Sequence, residues 1–357
     1  MEAFTGTRPL TQALDTVALE TWLAAHVPGF AGPLAIEQFK GGQSNPTYLL
    51  KTPGAQYVMR SKPGPVAKLL PSAHAIEREF AVMGALAGSA VPVPAMLALC
   101  EDESVIGRAF YVMSFMAGRV LWDQSLPGMA NADRAAHYEE LNRVIAALHQ
   151  VDFHAVGLAD YGKPGNYFER QIGRWSKQYL ASVTEPNPAM DALLAWLPAH
   201  IPASARDEAE VSIVHGDYRM DNVVFHPSEP RIIAVLDWEL STLGHPLADF
   251  SYHCMSWHIQ TSGAARGLGG KDLAALGIPS EREYVQRYCE RTGRADVNAV
   301  MADWNFYLAY NLFRIAAIVQ GIAKRVVDGT ASSAQARETA ASARPLAELA
   351  WQFAQKA

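Results

Sequence analysis

Val214-His215-Gly216-Asp217-Tyr218-Arg219-Met220-Asp221-Asn222 is the stretch on which the reading of this chain turns. It begins at the end of a short apolar run, Val211-Val214, and sets a His, an Asp and an Asn in the spacing H-x-D-x-x-x-x-N. Downstream, a second apolar run ends on an acid in Val235-Leu236-Asp237-Trp238-Glu239. Asp and Asn favour turns and caps, so either run alone has an ordinary explanation. Two acidic sites that each close an apolar run, in this order, are harder to explain as turn chemistry.

Outward from these runs the chain divides in character. Downstream of Pro246 it is mostly helical and includes a long segment, Ala302 to Val327. Asn311, Arg314 and Gln320 interrupt it, and a membrane span needs roughly 20 nearly unbroken apolar residues, so none is predicted. Upstream, Asn142 to Val151 and Tyr167 to Leu180 read as helices. Earlier still the period changes: Leu34-Phe39, Thr47-Leu50 and Tyr57-Arg60, spaced by Gly41-Gly42 and Pro53-Gly54, read as an antiparallel meander. A helix over about Ala73 to Ala87 follows, with Ile76, Phe80, Met83 and Leu86 in one stripe. Strands at Leu97-Cys100 and Ala109-Phe115 come next, and Ala18 to His26 forms a short helix ahead of the meander. The pattern predicts an α+β chain: a helical extension over 1–30, a small antiparallel lobe over 31–115, and a larger, mainly helical lobe over 116–357.

Half the residues are hydrophobic and 18% charged, enough to bury a sizeable core. A net charge of −6 gives no electrostatic case for a nucleic-acid partner, which needs clustered excess Lys and Arg. Cys100, Cys254 and Cys289 are odd in number and widely spaced, which points to reduced thiols in a cytoplasmic protein. The first residues hold no apolar core of signal-peptide length. The sequence leaves a homodimer open.

The residue types suit transfer of a phosphoryl group, which needs positioning and charge neutralisation more than covalent help. Asp217 would accept the proton of an attacking hydroxyl, with His215 bracing the loop. Asn222 and Asp237 are hard oxygen ligands suited to Mg²⁺ on ATP. Gly41, Gly42, Gln43, Ser44 and Asn45, between two strands, could bring backbone N–H groups to phosphate oxygens. Arg60 would meet the α- and β-phosphates with Glu79 as its helix partner, Lys62 being the other candidate. Met113 and Phe115 would wall the adenine.

On these residues the chain resembles the aminoglycoside phosphotransferase and choline kinase superfamily. Within it, the likeness is to the kinase-like domain fused to some long acyl-CoA dehydrogenases. Phe39 to Thr47, Pro71-Ser72-Ala73-His74, Val105-Ile106-Gly107, Val214 to Asn222 and Leu236 to Phe250 carry the resemblance. It implies a protein-kinase-like bilobal fold, ATP with Mg²⁺, and a hydroxylated small molecule as acceptor, either a hydroxy acid or a hydroxyacyl-CoA. Beside this fold, 357 residues leave no room for a dehydrogenase domain. Arg60 departs from the pattern, because Lys is the norm there. Arg174, Arg314, Arg325 and His245 are candidate acceptor contacts, and Asp249 would tie down the catalytic loop. Two alternatives remain: an aminoglycoside-modifying enzyme, and a nucleotide-binding module without transferase activity.

Overall fold

A computed structural model describes residues 6–40, 45–63, 75–261, 267–331 and 334–357. Gly41, Gly42, Gln43 and Ser44, and the Pro71-to-His74 run, lie outside the described residues. The chain divides into two compact units. One comprises Met1–Trp122, Val156–Leu158 and Asp221–Ser241; the other comprises Asp123–Ala155, Ala159–Met220 and Thr242–Ala357.

The first unit is built on a six-stranded antiparallel sheet. Its strands are β1 (Thr7–Arg8), β2 (Ala35–Phe39), β3 (Thr47–Lys51), β4 (Gln56–Ser61), β5 (Met96–Cys100) and β6 (Phe110–Ser114), in the order β1-β2-β3-β4-β6-β5. The Pro53-Gly54 turn fixes the register of β3 on β4. Thr52 N–H donates to the Ala55 carbonyl at 2.9 Å, and the Thr52 hydroxyl accepts from Ala55 N–H at 3.1 Å. Leu50 therefore pairs with Tyr57, and Tyr48 with Met59. These four side chains share a core with Phe110, Val112 and the Leu19, Leu23 and Val27 of helix α1 (Thr16–His26). The Asp15 carboxylate caps α1, accepting from Ala18 N–H at 2.9 Å. Helix α2 (Ile76–Leu86) packs on β5 and β6 through Ile76, Val82, Met83 and Leu86. Glu79 lies on that same buried face. A hairpin of Val223–Phe225 and Ile232–Val235 completes the unit.

The second unit is helical: α3 (Asn131–His149), α4 (Tyr167–Ser182), α5 (Pro188–Ala199), α6 (Pro246–Cys254), α7 (Glu281–Thr292), α8 (Trp304–Val327) and α9 (Ala343–Ala354), with short helices between. Helix α3 starts well before the predicted Asn142. Its early turns are polar on one side but bury His137 and Tyr138 on the other, and the Tyr138 hydroxyl donates to the Gln124 carbonyl at 2.7 Å. Ser212–Val214 pairs with Thr242–Gly244, a short strand not foreseen from the sequence.

Helix α8 is the one described helix long and apolar enough to cross a membrane, and 72% of its apolar window is buried inside the fold. The residues that interrupt its apolar pattern are themselves buried, and each is tied to a backbone carbonyl of a neighbouring segment. Asn311 Nδ2 donates to Ala248 O at 2.9 Å, Arg314 Nη2 to Gly216 O at 2.6 Å and Gln320 Nε2 to Ser182 O at 2.9 Å. Such bonds are what permit polar groups inside a core.

Candidate functional site

In the first unit the polar groups gather around Arg60. Its strand, β4, lies between β3 and β6, so the residue is only 9% exposed. Arg60 Nε stands 3.1 Å from Glu79 Oε2, while Nη2 is 2.6 Å from Asp237 Oδ1 and 3.4 Å from Glu239 Oε2. Glu79 also accepts from Asn45 Nδ2 at 2.9 Å and from the Tyr111 hydroxyl at 3.2 Å. Burial pulls the Arg60 pKa down, but Glu79 first, then Asp237, more than reverse this and hold it above its ordinary value. Glu79 is pushed up to about 7, chiefly by burial; Arg60 opposes the rise, and Asp237 and Glu239 add to it. One cation thus faces three carboxylates, a surplus of negative charge that a further cation would relieve.

Asp237 is placed by the backbone. It adopts φ 65°, ψ 58°, a left-handed conformation that Asp tolerates better than most residues. The turn after it is fixed by the Trp238 indole N–H, which donates to Val235 O at 3.0 Å. Asn222 lies beside it on the same hairpin: Leu236 N–H donates to Asn222 O at 2.8 Å, and Val223 pairs with Val235. Among the described residues no group of three or more His, Cys, Asp or Glu side chains is arranged to hold a metal. Mg²⁺ is typically held by only one or two carboxylates, with waters and phosphate oxygens supplying the rest. The oxygen donors of Asn222, Asp237 and Glu239 fit that requirement.

Lys62 pairs with Glu77, so Arg60 is the cation that faces Glu79. Met113 is buried in β6 between Val58 and Met96, and Phe115 follows the end of β6, partly exposed.

The second unit carries Asp217. Gly216 before it has φ 81°, which a side chain would strain. This turn presents two successive N–H groups, His215 and Gly216, to the Asp249 carboxylate of α6 at 2.7 and 2.8 Å. His149 Nε2 reaches the same carboxylate at 3.2 Å, and His149 Nδ1 lies 2.6 Å from the Tyr288 hydroxyl. Burial pushes Asp249 up, but the His149 hydrogen bond and the His149 and His215 charges outweigh it, leaving its pKa below the ordinary carboxylate value. His215 is fully buried, and its Nδ1 accepts from Asp217 N–H at 3.2 Å. The Asp217 carboxylate accepts from the Tyr252 hydroxyl, lies 3.3 Å from Arg219 Nε, and remains 20% exposed, so a small molecule can reach it. Burial, then the Asp217 charge, hold the Tyr252 pKa well above its usual value, so the phenol donates and is not itself ionised.

The three candidate acceptor arginines separate. Arg314 is buried with its guanidinium bonded to Gly216 O. Arg174 is exposed and stacks over Trp175 at 5.0 Å. Arg325 is exposed, about 16 Å along α8 from Arg314 by helical rise. His245 is buried and caps α6, accepting from Leu247 N–H at 3.2 Å, and burial pulls its pKa down to about 4. Sequence reading passed over Glu239 and Tyr252. An acid two residues after Asp237 was a signal for Glu239; Tyr252 is indistinguishable from a core aromatic until the helix is folded.

A phosphotransferase enzyme family model matches residues 35–284. A crystal structure from Ralstonia eutropha JMP134, described by inference as an aminoglycoside phosphotransferase, is 64% identical. It aligns over 96% of this chain and 99% of that one with a TM-score of 0.87. Acyl-CoA dehydrogenase family member 10 of Mus musculus is 46% identical over 98% of this chain. The chain spans 32% of that relative's length, well under half. An aminoglycoside phosphotransferase solved as a ternary complex with ADP and hygromycin B is 16% identical. It covers 94% of this chain and 97% of its own at a TM-score of 0.61, a likeness of fold. With its small antiparallel sheet, larger helical unit and these relatives, the chain belongs to the phosphotransferase enzyme family and has its kinase-like α+β fold.

Proposed function

We propose that the chain transfers the γ-phosphoryl group of ATP to a hydroxyl of a small hydroxy acid or of its CoA thioester. The observation that carries this reading is the anchored Asp217: a partly exposed carboxylate on a loop whose preceding N–H groups are both held by Asp249. A base fixed in this way can orient an alcohol oxygen and take its proton as the new P–O bond forms. Asn222 and Asp237, with Glu239 beside them, would hold Mg²⁺, which when bound neutralises phosphate charge. Arg60, kept charged by Glu79 and Asp237, would face α- and β-phosphate oxygens. Gly41 to Asn45 would offer backbone N–H groups, and Met113 and Phe115 an apolar wall for the base. ADP in a relative of the same fold supports the nucleotide. The acyl-CoA dehydrogenase relative supports the acyl acceptor.

An aminoglycoside acceptor fits less well. A polycation needs acids around the base, whereas Arg219 and, through Gly216, Arg314 are cations that stand beside Asp217 among the described residues. The test is ATP consumption with 4-hydroxy acids, their CoA thioesters and kanamycin. Turnover should depend on a hydroxylated acid or thioester and fall at least about 10³-fold in Asp217→Ala. Turnover confined to kanamycin, or none with any acceptor, would sink the proposal.

A further inference from the structure

We propose that Trp175 and Arg314 form a subsite that reads a carboxylate or thioester carbonyl oxygen of the acceptor, close to the hydroxyl presented to Asp217. The proposal deepens the acceptor side of the phosphotransferase reading and rests on it. Trp175 on α4 and Arg314 on α8 are 4% and 5% exposed. The Arg314 guanidinium carbon lies 5.5 Å from the Trp175 ring and 5.0 Å from the Tyr252 ring, and Tyr252 in turn donates to Asp217. The subsite is therefore contiguous with the base, through one aromatic ring and through the Gly216 carbonyl that accepts from Arg314 Nη2.

Two donors in this box are idle. Among the described residues, neither Arg314 Nε nor Trp175 Nε1 has a hydrogen-bond partner, although both are buried. A buried N–H left unmade costs on the order of 1–3 kcal/mol, and native cores rarely tolerate it. On helix α8 the amide nitrogens of Asn311 and Gln320 do reach carbonyls, while Asn311 Oδ1 and the Tyr310 hydroxyl, like Arg314 Nε, are buried without a hydrogen-bond partner among the described residues. Arg314 also makes no ion pair with a carboxylate among the described residues; its contacts are a carbonyl and two aromatic faces. Burial pulls its pKa down, but Tyr310, Tyr167, Tyr252 and Asp217 more than offset this, so the charge is compensated at a distance and not by contact. Two idle donors, one of them on a cation with no carboxylate in contact, are complemented by an oxygen acceptor, best by an anionic one. An alcohol lacking a neighbouring carbonyl or carboxylate leaves them unpaired, and a site built around such donors discriminates strongly against the lacking analogue.

The test compares three acceptors of one carbon skeleton: the hydroxy acid, its CoA thioester, and the diol without the carbonyl oxygen. Wild type should prefer the acid or the thioester to the diol by at least about tenfold in kcat/KM. Preference for the acid identifies the carboxylate as the group read, and preference for the thioester identifies the carbonyl. Trp175→Phe removes the N–H and narrows the ring but keeps an aromatic face; it should raise KM for the preferred acceptor about tenfold and shrink its advantage over the diol equally. KM for ATP, which a merely structural defect would also disturb, should hold. In the wild type, one indole N–H resonance should move on adding the preferred acceptor without ATP, a readout that survives if the variant folds poorly. Equal use of the diol, an unmoved indole resonance, or a Trp175→Phe loss shared by all three acceptors would overturn the subsite while leaving the phosphotransferase reading standing. Failure of wild type on all three would remove that reading, and the subsite with it.

Discussion

The Arg60 guanidinium reaches Glu79 through Nε and both Asp237 and Glu239 through Nη2. A lysine ammonium carries the same charge as a compact point on a flexible stem and cannot reproduce that planar fork. Arg60→Lys should therefore bind ATP about tenfold more weakly, with a lower Tm, because Glu79 loses part of its buried compensation. Titration of the nucleotide by calorimetry checks this, and wild-type affinity in the lysine variant would show that the fork is not used. Arg60 and Glu79 are legible in the sequence from their place in the kinase-like order, a cation closing the third strand of the meander and an acid in the helix that follows; that Glu79 lies on the buried face of α2 is seen only in the fold. Tyr252 and Trp175 leave no such mark. A buried aromatic ring is ordinary core, and only the fold shows where its polar atom points.

The turn at Gly216 and the start of α6 act together at the scale of elements. Asp249 binds two consecutive N–H groups of the turn and so sets the direction in which Asp217 leaves it. In Asp249→Asn the amide keeps one acceptor oxygen, but its NH₂ faces a donor. We expect kcat to fall about 10²-fold, as for a misplaced base, with KM for ATP little changed. Steady-state kinetics would reveal it, and an unchanged kcat would show that Asp249 serves stability alone. The strands around this turn are short, and only their apolar runs show in sequence. Thr242–Gly244 has no β-branched alternation to mark it, and the first turns of α3 are too polar to extend the predicted helix. The meander is far more readable, because Pro53-Gly54 and the period of two agree with each other.

Over the whole molecule, buried groups set how stability responds to pH. His245 and His253 are held by burial at about 4 against an ordinary 6.5, so the unfolded chain binds their protons first as pH falls. Their contribution is complete above 6.5 and is lost as pH drops towards 4, at about 1.4 kcal/mol per unit for each. Glu79 works in the opposite sense. Raised from 4.5 to about 7, it keeps its proton in the folded chain, so its contribution is lost as pH rises through that window. Below 6.5 two histidines oppose one glutamate, and above it the glutamate acts alone. Urea unfolding should therefore show stability rising to a maximum near pH 6.5 and then declining slightly, with the decline absent in Glu79→Gln. A maximum near pH 5 would contradict the burial of these groups. The α+β class and kinase-like fold are legible because local period, turn chemistry and the two acidic runs agree. That Asp237 and Glu239 join Glu79 around Arg60 is not, since those residues meet only after long loops close.

The central claim is that Asp217 serves an acceptor hydroxyl while Asp237 serves the nucleotide's metal. The direct measurement is the fate of the label when γ-³²P-ATP, Mg²⁺ and a hydroxy acid or its CoA thioester are incubated with wild type, Asp217→Asn and Asp237→Asn. The account predicts label on the acceptor with wild type and on none with either variant. Label released only as inorganic phosphate, or transferred as fast by Asp217→Asn as by wild type, would contradict it.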